Sequence, residues 1–240
     1  MKFFEQLKNA VKSYDETHNF TCDICGREVF ENERVCTPCA RTLPYVGDTY
    51  CPFCGRKTLE AGACLDCKQR PLAVGKARAV CVHEGVPARL VVQFKRSKRY
   101  LARTIAGLML PLLEEFPNTE LLICVPMTKK AERKRGYNQS RLLGQELSAL
   151  SGIPYLEPVV KTRETSSQKF LTRQEREENL TGCFRVHERA AVRDKSILIV
   201  DDTMTTGTTA SEMARVLKNA GAGKVDLITF TSVQYKNPTE

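Results

Sequence analysis

From residue 73 onward the apolar positions fall into two alternating patterns. Short, nearly unbroken runs predict strands buried on both faces: Arg78–His83 (RAVCVH), Leu90–Phe94 (LVVQF), Glu120–Val125 (ELLICV), Ser196–Val200 (SILIV) and Lys224–Val233 (KVDLITFTSV). The first two of these flank a turn at Glu84-Gly85. Between the runs, apolar residues recur at helical spacing. Leu101, Ile105, Leu108, Met109, Leu112 and Leu113 predict a helix over Tyr100–Phe116, kinked by Pro111. Leu142, Leu143, Leu147 and Leu150 predict a helix over Asn138–Leu150 capped by Gly152. Thr209–Ala220 predicts another, closed by Gly221, and Tyr155–Val160 a further strand. Residues 161–182 are polar and lack apolar periodicity, so they read as a long loop or arm, suited to act as a lid. Strand–helix alternation implies an α/β domain over 73–234 with a mostly parallel open sheet. Ligands of such sheets sit beyond the carboxyl ends of the strands.

The pattern before residue 73 differs. Phe3, Phe4, Leu7, Val11 and Tyr14 predict an amphipathic helix within residues 1–20. Residues 21–72 offer little apolar material but carry four CxxC pairs: Cys22/Cys25, Cys36/Cys39, Cys51/Cys54 and Cys64/Cys67. A segment this poor in core residues takes its folding free energy from metal. Two CxxC turns present four sulfurs to one tetrahedral ion, which leaves no open position, so the expected role of zinc is structural. Glycine after Cys25 and Cys54 permits the tight knuckle turn. Sequential pairing closes short loops and makes two ribbons with two zinc ions; a cross-braced pairing makes a RING-like module. The zinc count stays open between one and two.

Composition narrows the class. Apolar residues make up 42% and charged residues 27%, as in ordinary globular chains. No apolar run approaches the ~20 residues that span a bilayer. The N-terminus lacks an apolar signal segment, so the expected location is the cytoplasm, with no membrane partner. Residues 235–240 read as a tail. The net charge is +9, and the excess falls in residues 73–240. An anionic ligand is therefore expected on the sheet domain rather than on the cysteine module.

The stretch richest in chemistry is Ile197-Leu198-Ile199-Val200-Asp201-Asp202-Thr203-Met204-Thr205-Thr206-Gly207-Thr208-Thr209. An apolar strand delivers two carboxylates, and a Thr/Gly turn then opens a helix. Backbone N–H groups at such a helix start attract phosphate, threonine hydroxyls add donors, and Gly207 permits close approach. The carboxylates suit two sugar hydroxyls, directly or through a metal. A second candidate site follows the strand ending at Val125: residues 129–141 carry six basic groups and one acid, including Lys129, Arg133 and Arg135, suited to a diphosphate. A third is the basic run Lys95, Arg96, Lys98, Arg99 with Tyr100 beside it, which suits single-stranded nucleic acid. The histidines His18, His83 and His187 are scattered and read as structural or solvent-facing.

The Asp201–Thr209 segment resembles the phosphoribosyl pyrophosphate (PRPP) motif of type I phosphoribosyltransferases. The whole arrangement, four CxxC pairs, the Val125–Gln139 segment, a polar arm over Thr165–Asn179 and then this motif, resembles the ComF family, with Thr128-Lys129 where members often have His-Pro. The resemblance implies a type I phosphoribosyltransferase-like sheet preceded by a small N-terminal zinc ribbon module with four-cysteine sites. It implies Asp201 and Asp202 on the ribose hydroxyls as the catalytic pair. It implies Thr203, Thr205, Thr206, Gly207, Thr208 and Thr209 on the phosphate, with Mg²⁺ accompanying PRPP. Transfer of the phosphoribosyl group, displacing pyrophosphate, is the activity it implies. The family's link to DNA uptake adds single-stranded DNA and a DNA-uptake protein such as a helicase as partners. The alternative is a non-catalytic nucleic-acid-binding competence factor for which PRPP or a nucleotide is a regulatory ligand.

Overall fold

The computed structural model of the chain describes residues 21–30, 33–164 and 179–234. The helix expected within residues 1–20, the 235–240 tail and the middle of the polar arm lie outside the described residues. The chain divides into two compact units, one ending at Leu43 and the other running from Pro44. No helix among the described residues is long and apolar enough to cross a membrane.

The first unit is built around sulfur. Thr21 and Glu28 form an antiparallel bridge. Cys22 N–H donates to the Arg27 carbonyl at 2.7 Å and Gly26 N–H to the Cys22 carbonyl at 2.8 Å, closing the knuckle. Helix α1 (Thr37–Arg41) starts directly after Cys36 with proline in its first turn. Its core is Cys22, Val29 and Cys36, with Ile24 and Cys39 packed beside them.

The second unit opens by repeating that device. Tyr50 bridges Lys57, Cys51 N–H donates to the Arg56 carbonyl at 2.8 Å, and Gly55 N–H to the Cys51 carbonyl at 2.8 Å. Helix α2 (Leu65–Gln69) follows Cys64 as α1 follows Cys36. Here, however, Cys51, Cys54 and Cys67 are buried in one cluster with Ile197, Ile199, Met213 and Leu217 of the sheet domain.

The sheet follows. Strands β1 (Ala77–Val82), β2 (Leu121–Cys124), β3 (Tyr155–Leu156), β6 (Ile197–Met204) and β7 (Val225–Ser232) form a parallel sheet in the order β1-β7-β6-β2-β3. Every residue of β1, β2 and β7 is buried, which accounts for their continuous apolar runs. Strand β6 lies between β2 and β7, so its carboxyl end opens at the centre of the sheet. Helices α3 (Gly85–Arg96), α4 (Leu101–Met109) and α6 (Gln139–Ser151), the short α5 (Lys129–Arg135), and α7 (Thr208–Asn219) connect the strands. Pro111 ends α4 in a 3-10 turn, Leu110–Glu115, rather than bending a continuous helix.

Two further expectations are corrected. Leu90–Phe94 is not a strand: it lies in α3, where Pro87, Leu90, Val91 and Phe94 are buried at helical spacing and Val92 is exposed. A five-residue apolar run cannot by itself distinguish the two periods. Tyr155–Val160 is not one strand. Tyr155–Leu156 pairs with β2, whereas β4 (Val159–Lys161) pairs antiparallel with β5 (Phe184–Val186). Pro158 separates them, since it has no N–H to donate to a ladder. The described ends of the polar arm meet: Thr162 N–H donates to the Cys183 carbonyl at 2.8 Å, and Arg163 Nη2 to the Thr181 carbonyl at 3.1 Å.

Candidate functional site

Strand β6 carries its apolar residues Ile197–Val200 fully buried and then presents Asp201, half-buried, and Asp202, buried. Each carboxylate has a defined partner. Ser140 Oγ, from the first turn of α6, donates to Asp201 Oδ1 at 2.5 Å, and the Asp202 N–H donates to the same oxygen at 2.9 Å. Asp202 Oδ1 lies 2.7 Å from Lys95 Nζ, which reaches in from the last turn of α3. Burial first, and then the neighbouring Asp202 charge, push the Asp201 carboxyl up to about 7.

Ser140 is placed by Asn138, the buried N-cap of α6. Its Oδ1 accepts from Ser140 N–H at 3.1 Å and Arg141 N–H at 3.4 Å, while Nδ2 donates to the Val125 carbonyl at 3.0 Å. One asparagine thus ties the end of the β2 segment to the helix that serves Asp201.

The turn after β6 is shaped for an anion. Gly207 caps α7 with φ +77° and brings no capping side chain of its own; a long 3.5 Å bond from Thr208 N–H to Thr206 Oγ1 stands at the first position. The first turn of α7 therefore lacks the acceptor that an N-cap Ser, Thr, Asn or Asp would supply. Thr206 Oγ1 and Thr208 Oγ1 are 2.8 Å apart, and Thr205 is exposed. Thr203 Oγ1 accepts from Thr231 Oγ1 at 3.1 Å, so this hydroxyl already braces β6 against β7. His83 Nδ1 lies 2.9 Å from that same Thr231 Oγ1. Burial, reinforced by the Lys95 charge, holds the His83 imidazole below the usual histidine range.

The basic residues separate into three locations. Lys129, Arg133 and Arg135 lie on helix α5, begun by a Thr128 N-cap, and all three are exposed. Arg135 Nη1 donates to Gln139 Oε1 at 2.9 Å, linking this helix to the first turn of α6. Lys95 belongs to the carboxylate pair. Arg96, Lys98 and Arg99 remain exposed beyond it, with the Arg99 guanidinium 5.3 Å from the Tyr137 ring centroid and Tyr100 half exposed. Pattern reading did not single out Ser140 or Asn138, and His83, read as structural or solvent-facing, contacts Thr231. The Asn-Gln-Ser sequence does signal a helix start, but nothing in it points to β6.

The cysteines form two sets, Cys22/Cys25/Cys36/Cys39 and Cys51/Cys54/Cys64/Cys67, in each of which the sulfurs lie within 4.8 Å of one another. The pairing is sequential. Cys25 and Cys36 sulfurs are 3.8 Å apart, as are those of Cys54 and Cys64. A tetrahedron with Zn–S bonds of ~2.3 Å has edges of about 3.8 Å, so both sets fit zinc. Cys36 N–H donates to Cys22 Sγ at 3.4 Å, as expected for a thiolate ligand. The chain therefore carries two four-cysteine zinc sites.

Comparison with known proteins agrees with these features. A phosphoribosyl transferase domain family matches residues 140–238, and a double zinc ribbon domain family matches residues 19–68. The chain is 32% identical over 202 residues to the DNA utilization protein YhgH of Shigella flexneri, covering 80% of this chain and 88% of that one. It is 28% identical over 224 residues to Competence protein F of Haemophilus influenzae, covering 87% and 95%. It is 24% identical over 233 residues to Competence protein ComFC of Bacillus subtilis, covering 90% and 91%.

Proposed function

The chain belongs to the ComF family of competence and DNA-utilization proteins, and on that premise we propose that its sheet unit binds PRPP with Mg²⁺ at the Asp201–Thr209 segment. One observation carries the reading: a carboxylate pair, Asp201 half-buried and Asp202 buried, at the carboxyl end of the central strand runs directly into a helix start whose N-cap is the side-chain-less Gly207. The pair suits the ribose hydroxyls and the turn suits the 5′-phosphate.

The residues divide the work. Ser140 and the Asp202 N–H orient the Asp201 carboxylate. Lys95 offsets the Asp202 charge. The first-turn N–H groups of α7 and the hydroxyls of Thr205, Thr206, Thr208 and Thr209 hold the phosphate. Lys129, Arg133 and Arg135, on exposed α5, face the diphosphate and offset the charge that grows on departing pyrophosphate. Asp201 and Asp202 offer the oxygen donors a hard cation needs, and Mg²⁺ held there would supply further charge neutralisation.

The test is a titration of PRPP into zinc-loaded protein with Mg²⁺, beside an Asp201→Asn/Asp202→Asn double variant. Saturable binding weakened at least ~10-fold in the variant, about 1.4 kcal/mol, is the expected result. Wild-type protein that binds nothing at millimolar PRPP overturns the reading. Pyrophosphate release on adding an acceptor marks a transferase; binding without release marks a regulatory ligand.

A second reading is favoured by the exposed Arg96, Lys98, Arg99 and Tyr100: single-stranded nucleic acid lies along the end of α3. It is compatible with the first, because only Lys95 of that run is engaged with the carboxylates.

A further inference from the structure

The turn at Thr205–Gly207 is gripped by the segment that holds the second cysteine site. Arg56 follows the knuckle Cys51-Pro52-Phe53-Cys54-Gly55 and is 4% exposed. Its Nη2 donates to the Thr205 carbonyl at 2.6 Å and its Nε to the Val233 carbonyl at 2.7 Å. Its Nη1 lies 3.7 Å from the carboxylate of Asp66, which stands between the ligands Cys64 and Cys67. One planar guanidinium thus faces the phosphate turn, the end of β7 and the second ligand helix at once. A lysine ammonium holds its donors on one atom and cannot span groups that Nε, Nη1 and Nη2 meet separately.

Further contacts come from the same segment. A Cβ on Gly207 would meet Leu72 Cδ1 at 2.5 Å, so Leu72 lies against the backbone of the turn. Ala73 N–H donates to Ser211 Oγ at 2.9 Å, on the first turns of α7. Arg56 is itself fixed from the metal side, because its carbonyl accepts from Cys51 N–H. Gly55 meanwhile is pressed against β1, where a Cβ would come within 2.8 Å of Arg78 Cα. The chain of contacts runs from the cysteines to the knuckle, from the knuckle to Arg56, and from Arg56 to the carbonyl of Thr205.

We infer that Arg56 is a positioning residue that makes the phosphate turn depend on the second four-cysteine site, so that zinc in that site and ligand on the turn favour each other. The inference rests on the reading of that turn as the phosphate site. The coupling is reciprocal by linkage: whatever orders the turn also steadies the knuckle.

The experiment compares wild type with Arg56→Lys and Arg56→Met in the full chain, loaded with zinc. Amide hydrogen exchange is read at Thr205–Thr208 without ligand, alongside zinc content and PRPP–Mg²⁺ titration. The expected result is two zinc ions retained in Arg56→Lys, exchange at the turn at least ~10-fold faster with β7 unchanged, and PRPP affinity reduced ~10-fold. Unchanged exchange at the turn in a folded Arg56 variant overturns the inference. So does wild-type affinity in a variant whose wild-type parent binds. Should wild type fail to bind PRPP, the phosphoribosyl reading falls alone, and the exchange data still decide whether Arg56 orders the turn. Should neither variant fold, Cys25→Ser, which removes the first site, is compared before and after chelation of the second. Exchange at Thr205–Thr208 must then rise before that of β6 and β7; a simultaneous rise overturns the inference.

Discussion

Lys95 Nζ lies 2.7 Å from Asp202 Oδ1, which places one cation of a surface basic run inside the carboxylate pair. On the proposed readings the run Lys95–Arg99 divides between two ligands, Lys95 with the PRPP site and the rest with nucleic acid. Lys95→Met is expected to weaken PRPP–Mg²⁺ binding by about 10-fold, or 1.4 kcal/mol, as measured by calorimetry. Lys98→Ala/Arg99→Ala is expected to leave that affinity within about 2-fold. It should instead lower the salt slope of single-stranded DNA binding by about 1 to 2. If both variants change both ligands equally, the division is wrong.

Asp201 predicts a trade between stability and binding. Its carboxyl ionises near 7 in the fold, against an ordinary value of 3.8. The folded protein holds this proton more tightly than the unfolded chain. Its contribution is fully present below about pH 4 and is lost as pH rises through about 7. Asn in its place can still accept from Ser140 and from the Asp202 N–H. Asp201→Asn should therefore melt about 3 to 6 °C higher than wild type at pH 8, with the gap closing towards pH 4, while binding PRPP more weakly. Thermal melts across that range check the sign, and a gap that widens at low pH contradicts it.

The two four-cysteine sites should differ in what they support. Cys51 belongs to the large buried cluster that also holds Ile197, Met213 and Leu217, whereas Cys22 belongs to a small cluster with Val29 and Cys36. Cys22→Ser and Cys51→Ser should each remove one zinc equivalent. Only Cys51→Ser should lower the main unfolding transition substantially, by roughly 10 °C or more. Zinc analysis with scanning calorimetry distinguishes the outcomes, and equal shifts would remove the distinction.

Asn138 is 2% exposed and makes both a helix cap and a bond to the Val125 carbonyl. Asn138→Ala should cost about 2 to 3 kcal/mol in urea unfolding, from the lost cap plus an orphaned carbonyl. Asn138→Ser, which keeps a cap acceptor without burying a charge, should cost less. A neutral alanine variant would mean that Ser140 is placed by something else.

The sequence carries much of this by local means. Fully buried strands such as Val225–Ser232 announce themselves as apolar runs because both faces are covered. Helix Gln139–Ser151 is bounded by an asparagine cap and a left-handed Gly152, both local signals. Helix Gly85–Arg96 is not legible in the same way, because its short apolar run fits either period and the packing of Leu90 and Phe94 decides between them. The four CxxC pairs and the Asp-Asp-Thr-Met-Thr-Thr-Gly-Thr-Thr segment are contiguous, so their chemistry is visible without any fold.

What sequence by itself determined was the set of parts: eight ligand sulfurs, a strand ending in two carboxylates, a glycine at a helix start and an excess of positive charge. What only the tertiary structure decided was who meets whom. Lys95 and Asp202 are separated by more than a hundred positions, Ser140 and Asp201 by 61, and Arg56 and Thr205 by 149. No local pattern encodes such meetings. They arise because parallel strands bring distant loops to one edge of a sheet, and because a buried charge must find its partner wherever the fold delivers one.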